Sequence, residues 1–238
     1  MPDFTLIVPY YRNPQMLARQ VEEWEKYPPG IRIMVVDDCS PEPAADVIGE
    51  RRRVDIYRIL DDIPWNRNGA RNLGAKMALT EWIMHVDIDH VLPAESAARL
   101  RAKRLDSDRW YRFARYRVGA ADETRRKDDL PDDCEFGPVK PHVDSYICPQ
   151  WLYWTVGGYD EAYSGSLGGS APFLSLMTKA APVDVLADVP LHVHTRHSVP
   201  DASDTTLSRD RSRYDAIKAA QGVRKAVNPI RFRWQQVG

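Results

Sequence analysis

Trp82-Ile83-Met84-His85-Val86-Asp87-Ile88-Asp89 is the stretch on which the reading of this chain turns. A mostly apolar run of strand length passes without a break into two carboxylates spaced two residues apart. A run without polar alternation suits a strand buried on both faces. Upstream, the same grammar repeats. Residues 4–8 (FTLIV), 31–36 (IRIMVV) and 54–59 read as further strands, the first ended by Pro9 and the second entering Asp37-Asp38. Between them lie segments with helical spacing. Residues 16–24 place Leu17, Val21 and Trp24 on one side before Pro28-Pro29-Gly30 stops them, a short helix follows Pro43, and residues 68–79 turn Ala70, Leu73 and Met77 inward. Strands of this kind alternating with helices predict an α/β protein with a parallel sheet covered on both faces.

In such sheets ligands gather at the carboxyl ends of the strands. A single Asp after a strand is explained by capping of the next helix. Two acidic clusters at strand ends, Asp37-Asp38 and Asp87-Asp89, point instead to a site. Adjacent residues at a strand end face opposite ways, so of the first pair Asp37 is expected to be structural. The Asp-x-Asp spacing brings two carboxylates near one point. Hard divalent ions such as Mn2+ and Mg2+ favour such oxygen ligands, and an ion held there can bind a diphosphate and stabilise charge as a glycosyl bond breaks.

The second half is less regular. Residues 119–137 are dense in charge and read as a loop, residues 145–154 regain apolar character, and Gly157-Gly158-Tyr159-Asp160-Glu161 follows. A helix is expected near residues 173–177 and a strand near 183–187, and the stretch 191–197 holds His192, His194 and His197.

Composition sets the bounds. The 238 residues are 43% hydrophobic and 28% charged, with a net charge of −1. That suits one soluble globular domain and excludes a molecule built as a whole to bind nucleic acid or membrane. The three cysteines, Cys39, Cys134 and Cys148, have no metal-ligand spacing and no even count for a disulfide framework. With no signal-peptide pattern at the start and no run near the roughly 20 apolar residues of a membrane span, a cytoplasmic setting is expected.

Taken in order, Leu6-Ile7-Val8-Pro9-Tyr10-Tyr11, Val35-Val36-Asp37-Asp38-Cys39-Ser40, Gly69-Ala70-Arg71-Asn72, Val86-Asp87-Ile88-Asp89 and Gly157-Gly158-Tyr159-Asp160-Glu161 resemble family 2 glycosyltransferases across residues 4–175. The resemblance implies a GT-A fold: a Rossmann-like, mostly parallel sheet flanked by helices, with a mixed acceptor-side half. It implies a nucleotide-diphosphate sugar donor and Mn2+ or Mg2+. By the same resemblance Pro9 and Tyr11 line the nucleotide pocket, Asp38 bonds the base and Arg71 approaches the donor. Asp89 holds the metal, and Asp87 faces the ribose or the metal's waters. Tyr11 has the alternative of a packed core aromatic, and Arg71 that of an exposed helix residue paired with Asp61 or Asp62. A late histidine often serves as a further metal ligand in similar enzymes, which makes His194 and His197 the candidates here. The domain is expected to span residues 1–197, with a nucleotide-sugar half at 1–105 and an acceptor half at 106–197.

One departure stands out. Where the family usually has an acidic residue after a glycine-rich turn, this chain has Ser170-Ala171, and neither can act as the general base. Asp160 and Glu161 are the nearest carboxylates, though in the family they shape the acceptor loop, so the base is unassigned.

Residues 198–238 are expected to form a basic C-terminal tail. From Arg196 to Gly238 there are nine Lys or Arg against four Asp or Glu, interleaved with Tyr214, Phe232 and Trp234. Such a mixture suits a phosphate-rich partner, a nucleic acid or an anionic glycan; the alternative is a solvated helix over 210–222 and a segment packed on the domain. Two other functions compete with glycosyl transfer. A nucleotidyltransferase would carry a glycine-rich loop after the first strand, which Pro9-Tyr10-Tyr11-Arg12-Asn13 lacks. A catalytically retired GT-A domain acting as a binding module fits the missing acid but not the intact Asp87-Asp89 pair.

Overall fold

A computed structural model describes residues 3–50, 53–118, 140–166, 169–194 and 211–237. The loop expected at 119–137, Cys134 and His197 lie outside the described residues.

The first half alternates as the sequence predicts: β1 Phe4–Tyr10, α1 Pro14–Trp24, β2 Ile31–Asp37, α2 Ala44–Ile48, β3 Val54–Ile59, α3 Arg67–Met77 and β4 Trp82–His85. Local chemistry sets the helix starts. The Asn13 side chain accepts the Met16 N–H at 3.1 Å, and Pro14, which has no N–H to leave unpaired, opens α1. The second half adds β5 His90–Val91, α4 Ala94–Ala102, β6 Trp110–Val118, β7 Tyr146–Pro149, α5 Gln150–Thr155, a 3-10 turn Glu161–Tyr163, α6 Ser170–Ala180, β8 Val183–His194, α7 Ser212–Gln221 and β9 Trp234–Val237.

Among the described residues nine strands join one sheet in the order β5-β8-β6-β7-β4-β1-β2-β3-β9. The block β4-β1-β2-β3 is parallel, while β7 joins β4 antiparallel and opens the mixed half. Side chains alternate between two cores. On one face Leu6, Val8, Ile33 and Met84 meet Leu17 and Val21 of α1 and Leu100 of α4. On the other, Ile7, Met34 and Ile83 meet Ala70 and Leu73 of α3 and Phe173 of α6. The contact between α3 and β1 is close: a Cβ added to Gly74 would lie 2.3 Å from the Ile7 Cγ2.

The segment expected as a tail returns, within its described residues, to the fold. β9 pairs antiparallel with β3 and so closes the exposed edge of the parallel block. Phe232 is buried, Trp234 meets Tyr57 edge-on at 5.7 Å, and Tyr214 of α7 packs against Tyr163 at 5.4 Å. The aromatic residues interleaved with charge are thus contacts to the domain, and burial of their apolar faces is what draws the segment back. Its cations Arg213, Lys218, Arg224 and Lys225 remain exposed. Among the described residues no helix is long and apolar enough to cross a membrane, and Cys39 and Cys148 are free thiols.

Candidate active site

Parallel pairing of β2, β1 and β4 sets their carboxyl ends side by side, which brings both acidic clusters to one edge of the sheet. The two aspartates after β2 have opposite fates. Asp37 accepts the backbone N–H of Ser40 at 2.7 Å and of Ala44 at 2.9 Å, and the Arg58 guanidinium at 2.6 Å. It is a structural clamp on the turn into α2. Asp38 donates its N–H to the Tyr10 carbonyl at 2.9 Å, which joins the ends of β1 and β2. Its side chain is buried and its Oδ1 has no partner among the described residues. Burial pushes this carboxyl up to about 7, with Asn66 offsetting only part of the effect. Such an oxygen lacks a donor.

The loop after β1 borders the same edge. Pro9 and Tyr11 are both half-buried, and the Arg12 guanidinium lies 5.2 Å from the Tyr11 ring centre. Tyr11 is therefore not a packed core aromatic. The Arg12 N–H donates to Ser40 Oγ at 3.1 Å, so the loops after β1 and β2 are tied together.

After β4 the chain turns through Asp87-Ile88-Asp89 into β5. Gln20 of α1 holds this turn, its Nε2 donating to the carbonyls of Ile88 (3.1 Å) and His90 (2.9 Å). Asp87 bonds Arg71 and stands 3.3 Å from Nδ1 of His142. Asp89 bonds Nδ1 of His90 at 2.7 Å, and the Nε2 of that ring meets the Arg115 guanidinium at 2.9 Å. Burial pushes the Asp89 carboxyl up, but His90 and then His142 outweigh it and hold the group below the usual carboxylate value. One ligand atom each from Asp87, His90 and His142 lies within 4.8 Å of the others, close enough to share a metal ion.

Arg71 sits fully buried behind this edge. It is not the exposed residue paired with Asp61 or Asp62 that the sequence left open; Asp61 pairs with Arg233 at 2.7 Å. Arg71 bonds Asp87, lies 3.5 Å from Asp144 and covers the Tyr159 ring at 5.2 Å. Burial alone would weaken its hold on a proton, and the two carboxylates reverse that, raising its pKa. Asp144 also receives Arg67 at 3.1 Å and the Tyr159 hydroxyl at 3.2 Å. Burial raises its pKa, but the Arg71 and then the Arg67 guanidinium outweigh that and keep it far below its ordinary value.

Comparisons with known proteins bear on the family and the fold. The Glycosyl transferase family 2 profile matches residues 5–165. The chain belongs to that family and is a glycosyltransferase. Solved structures share its fold at low identity. The crystal structure of S. aureus TarS 1-349 superposes with a TM-score of 0.64 at 16% identity, covering 92% of this chain and 74% of that one. A longer S. aureus TarS structure gives 0.60 at 17%, and there the match spans 87% of this chain and only 41% of TarS. The mannosyltransferase PcManGT from Pyrobaculum calidifontis, in complex with GDP-Man and Mn2+, gives 0.58 at 13%, covering 93% and 69%. No curated protein sequence matches the chain.

In this glycosyltransferase the two carboxylates nearest Ser170-Ala171 in the sequence are occupied by the fold. Asp160 accepts the Ala162 N–H at 3.0 Å and faces Arg224 at 3.5 Å. Glu161 accepts Asn72 Nδ2 at 2.7 Å and the N–H groups of Ile230 (2.6 Å) and Arg231 (3.2 Å). Ser170 opens α6 and receives Arg67 at 3.3 Å. His194 is buried on β8, its N–H bonded to the Asp89 carbonyl at 2.9 Å, and its Nδ1 has no partner among the described residues. Burial lowers its pKa to about 4, and it is not in the metal-capable cluster.

Sequence reasoning missed His90, His142, Asp144, Arg67 and Arg115. His90 carried a signal, since it directly follows the Asp-x-Asp pair. Arg67 opens α3 four residues before Arg71, and its role showed only once Asp144 had been placed beside it. His142, Asp144 and Arg115 carried no signal, because they reach the site only through β6 and the approach to β7.

Proposed function

We propose that the protein moves a sugar from a nucleotide-diphosphate sugar to an acceptor hydroxyl, with a Mn2+ or Mg2+ ion at the Asp87-Ile88-Asp89 turn. The observation that carries this reading is Asp38: a buried carboxylate with an unpartnered oxygen, at the same strand ends as Asp87. A nucleobase N–H would satisfy it, and a buried acceptor left without a donor is disfavoured by about 1–3 kcal/mol. Pro9 and Tyr11 would flank the base. Arg71 would act on the donor through Asp87, whose orientation it fixes. The residues present fit a divalent ion, because Asp87 and Asp89 stand beside two imidazoles, and His194 and His197 remain the later candidates. Such an ion, when bound, would neutralise the diphosphate as it leaves. PcManGT, which shares the fold, carries GDP-Man and Mn2+, and that supports a donor of this class here.

For the acceptor we favour an anionic molecule, a glycan or a nucleic acid. Arg213 overhangs Gly165, where an added Cβ would lie 3.1 Å from its Nη1, and Lys225 packs beside Gly157. Both cations are exposed next to the acceptor-side turn. A cytosolic setting draws support from the free thiols of Cys39 and Cys148 among the described residues. Titration of UDP-, GDP- and other nucleotide sugars, with Mn2+ and with EDTA, followed by assays of donor hydrolysis and transfer, tests the reading. Binding that requires neither Asp38 nor the metal refutes it. A second reading, a domain that keeps the donor site but has lost transfer, draws on the engagement of Asp160 and Glu161 in structural bonds; metal-dependent donor binding without any turnover would favour it. Membership of a glycosyltransferase family argues for glycosyl over nucleotidyl transfer.

A further inference from the structure

We propose that the protein docks on an anionic lipid surface through residues 222–231 and the outer side of α5. Val223, Val227 and Trp151 enter the headgroup layer, and the cations around them meet the lipid phosphates. This goes beyond the donor reading above and does not depend on it. The segment from Arg211 to Arg231 carries six Lys or Arg against one Asp, in a chain whose net charge is −1, so the rest of the chain is net acidic.

Two turns of that segment each set an exposed valine beside a cation. Gly222 ends α7 at φ +63°, and a Cβ added there would meet nothing within 4 Å, so this turn stands clear of the domain. Next come Val223, 40% exposed, and the exposed Arg224 and Lys225. The second turn carries Val227, 50% exposed, followed by Asn228 at φ +50°. The Arg231 guanidinium folds back on this turn, donating to the Val227 carbonyl and, at 3.0 Å, to that of Asn228. Between the valines, Lys225 and Ala226 are seated on Gly157. A Cβ added to Gly157 would lie 2.8 Å from the Ala226 nitrogen and 3.1 Å from the Lys225 Cβ. Gly157 lies in the turn after α5, whose outer side shows Trp151, 50% exposed, and Thr155 one helical turn on. Packing on Gly157 thus brings both valine turns beside α5.

The apolar tips decide between kinds of anion. A soluble polyanion is held by cations and gains nothing from exposed valines. A lipid surface uses both. Basic residues draw the protein to anionic headgroups, and aliphatic and indole groups bury in the interfacial layer, where indole finds an apolar setting for its ring and water for its N–H. Arg213, over Gly165, extends the cationic face to the acceptor-side turn, so docking sets that turn against the membrane.

The test is co-sedimentation of the full chain with vesicles of phosphatidylcholine alone and with about a third phosphatidylglycerol, at an ionic strength of about 0.1 M. Binding to the mixed vesicles and none to the neutral ones is expected. Arg213→Gln with Lys225→Gln should weaken it by about fivefold for each cation, and so by about 25-fold together. Val223→Ser with Val227→Ser should weaken it by about tenfold or more. That valine variant should keep its affinity for a DNA oligonucleotide within about twofold and bind nucleotide sugar as wild type does. Tryptophan fluorescence of the wild type should shift to the blue on mixed vesicles, and Trp151→Phe should remove the shift. Equal binding to neutral vesicles, or binding to neither, overturns the proposal. So does a valine variant that sediments like wild type, which hands the surface to a soluble polyanion. A blue shift that persists in Trp151→Phe strikes α5 from the docking face. The vesicle assay needs no nucleotide, so its failure leaves the donor reading untouched.

Discussion

Asp38→Asn should stabilise the free protein and weaken its grip on nucleotide, and the two effects can be measured on one sample. In the folded chain the Asp38 carboxyl is raised from 3.8 to about 7, chiefly by burial. The folded state thus binds this proton more tightly than the unfolded chain, so stability is lost as pH rises from about 3.8 to about 7. A tenfold difference in proton affinity is worth about 1.4 kcal/mol. Ionised Asp38 therefore opposes folding by about 1.5 kcal/mol at pH 5 and about 4 kcal/mol at pH 8. The amide of Asp38→Asn does not titrate, so its advantage over wild type should grow by about 2–3 kcal/mol between those pH values. Urea denaturation of both proteins at pH 5 and pH 8 measures this. Nucleotide affinity should fall at the same time by about 10–100-fold, the value of one hydrogen bond to a charged acceptor. Parallel pH dependence in the two proteins would refute the reasoning, since it would mean that Asp38 is solvated or already bonded.

Three further outcomes are expected. Asn72 uses both donors, on the Tyr159 carbonyl and Glu161, and accepts from the Tyr153 hydroxyl and the Tyr159 N–H, so Asn72→Ala should destabilise by about 3 kcal/mol in chemical denaturation. Gly74→Ala forces a methyl group against Ile7 and should lower stability by roughly 1–3 kcal/mol, visible as a drop in Tm with donor affinity little changed. Deleting residues 211–238 would bare the edge of β3 and unseat Phe232, so acceptor recognition is better tested by neutralising Arg213 and Lys225 together. That double substitution should leave nucleotide-sugar affinity within about threefold and reduce the log–log salt slope of polyanion binding by about 1–2; an unchanged slope would make these cations a bland surface.

The parallel block from β1 to β4, the two covered faces and the placing of both acidic clusters at strand ends were legible in the sequence. They follow from local rules: apolar runs, helical spacing and the chirality of strand–helix–strand crossovers act within a few tens of residues. Asp37 and Asp38 show the limit of that reach. Their opposite orientation followed from strand geometry, but which one keeps a free oxygen depended on Arg58, Ser40 and Ala44 arriving around Asp37. The tertiary structure alone decided the rest. The sequence left Arg71 open between a donor contact and a surface helix residue; its burial depends on the approach of Asp144 from the mixed half, since a buried cation needs carboxylates on hand. Arg115 is set beside His90 because β6 and β5 both pair with β8, and His142 arrives on the approach to β7, which pairs with β4; no local pattern encodes these registers. The basic segment read as a tail is part of the domain because Phe232 and Trp234 bury apolar surface against the sheet, a gain that exists only once β3 and α3 have formed the surface to receive them.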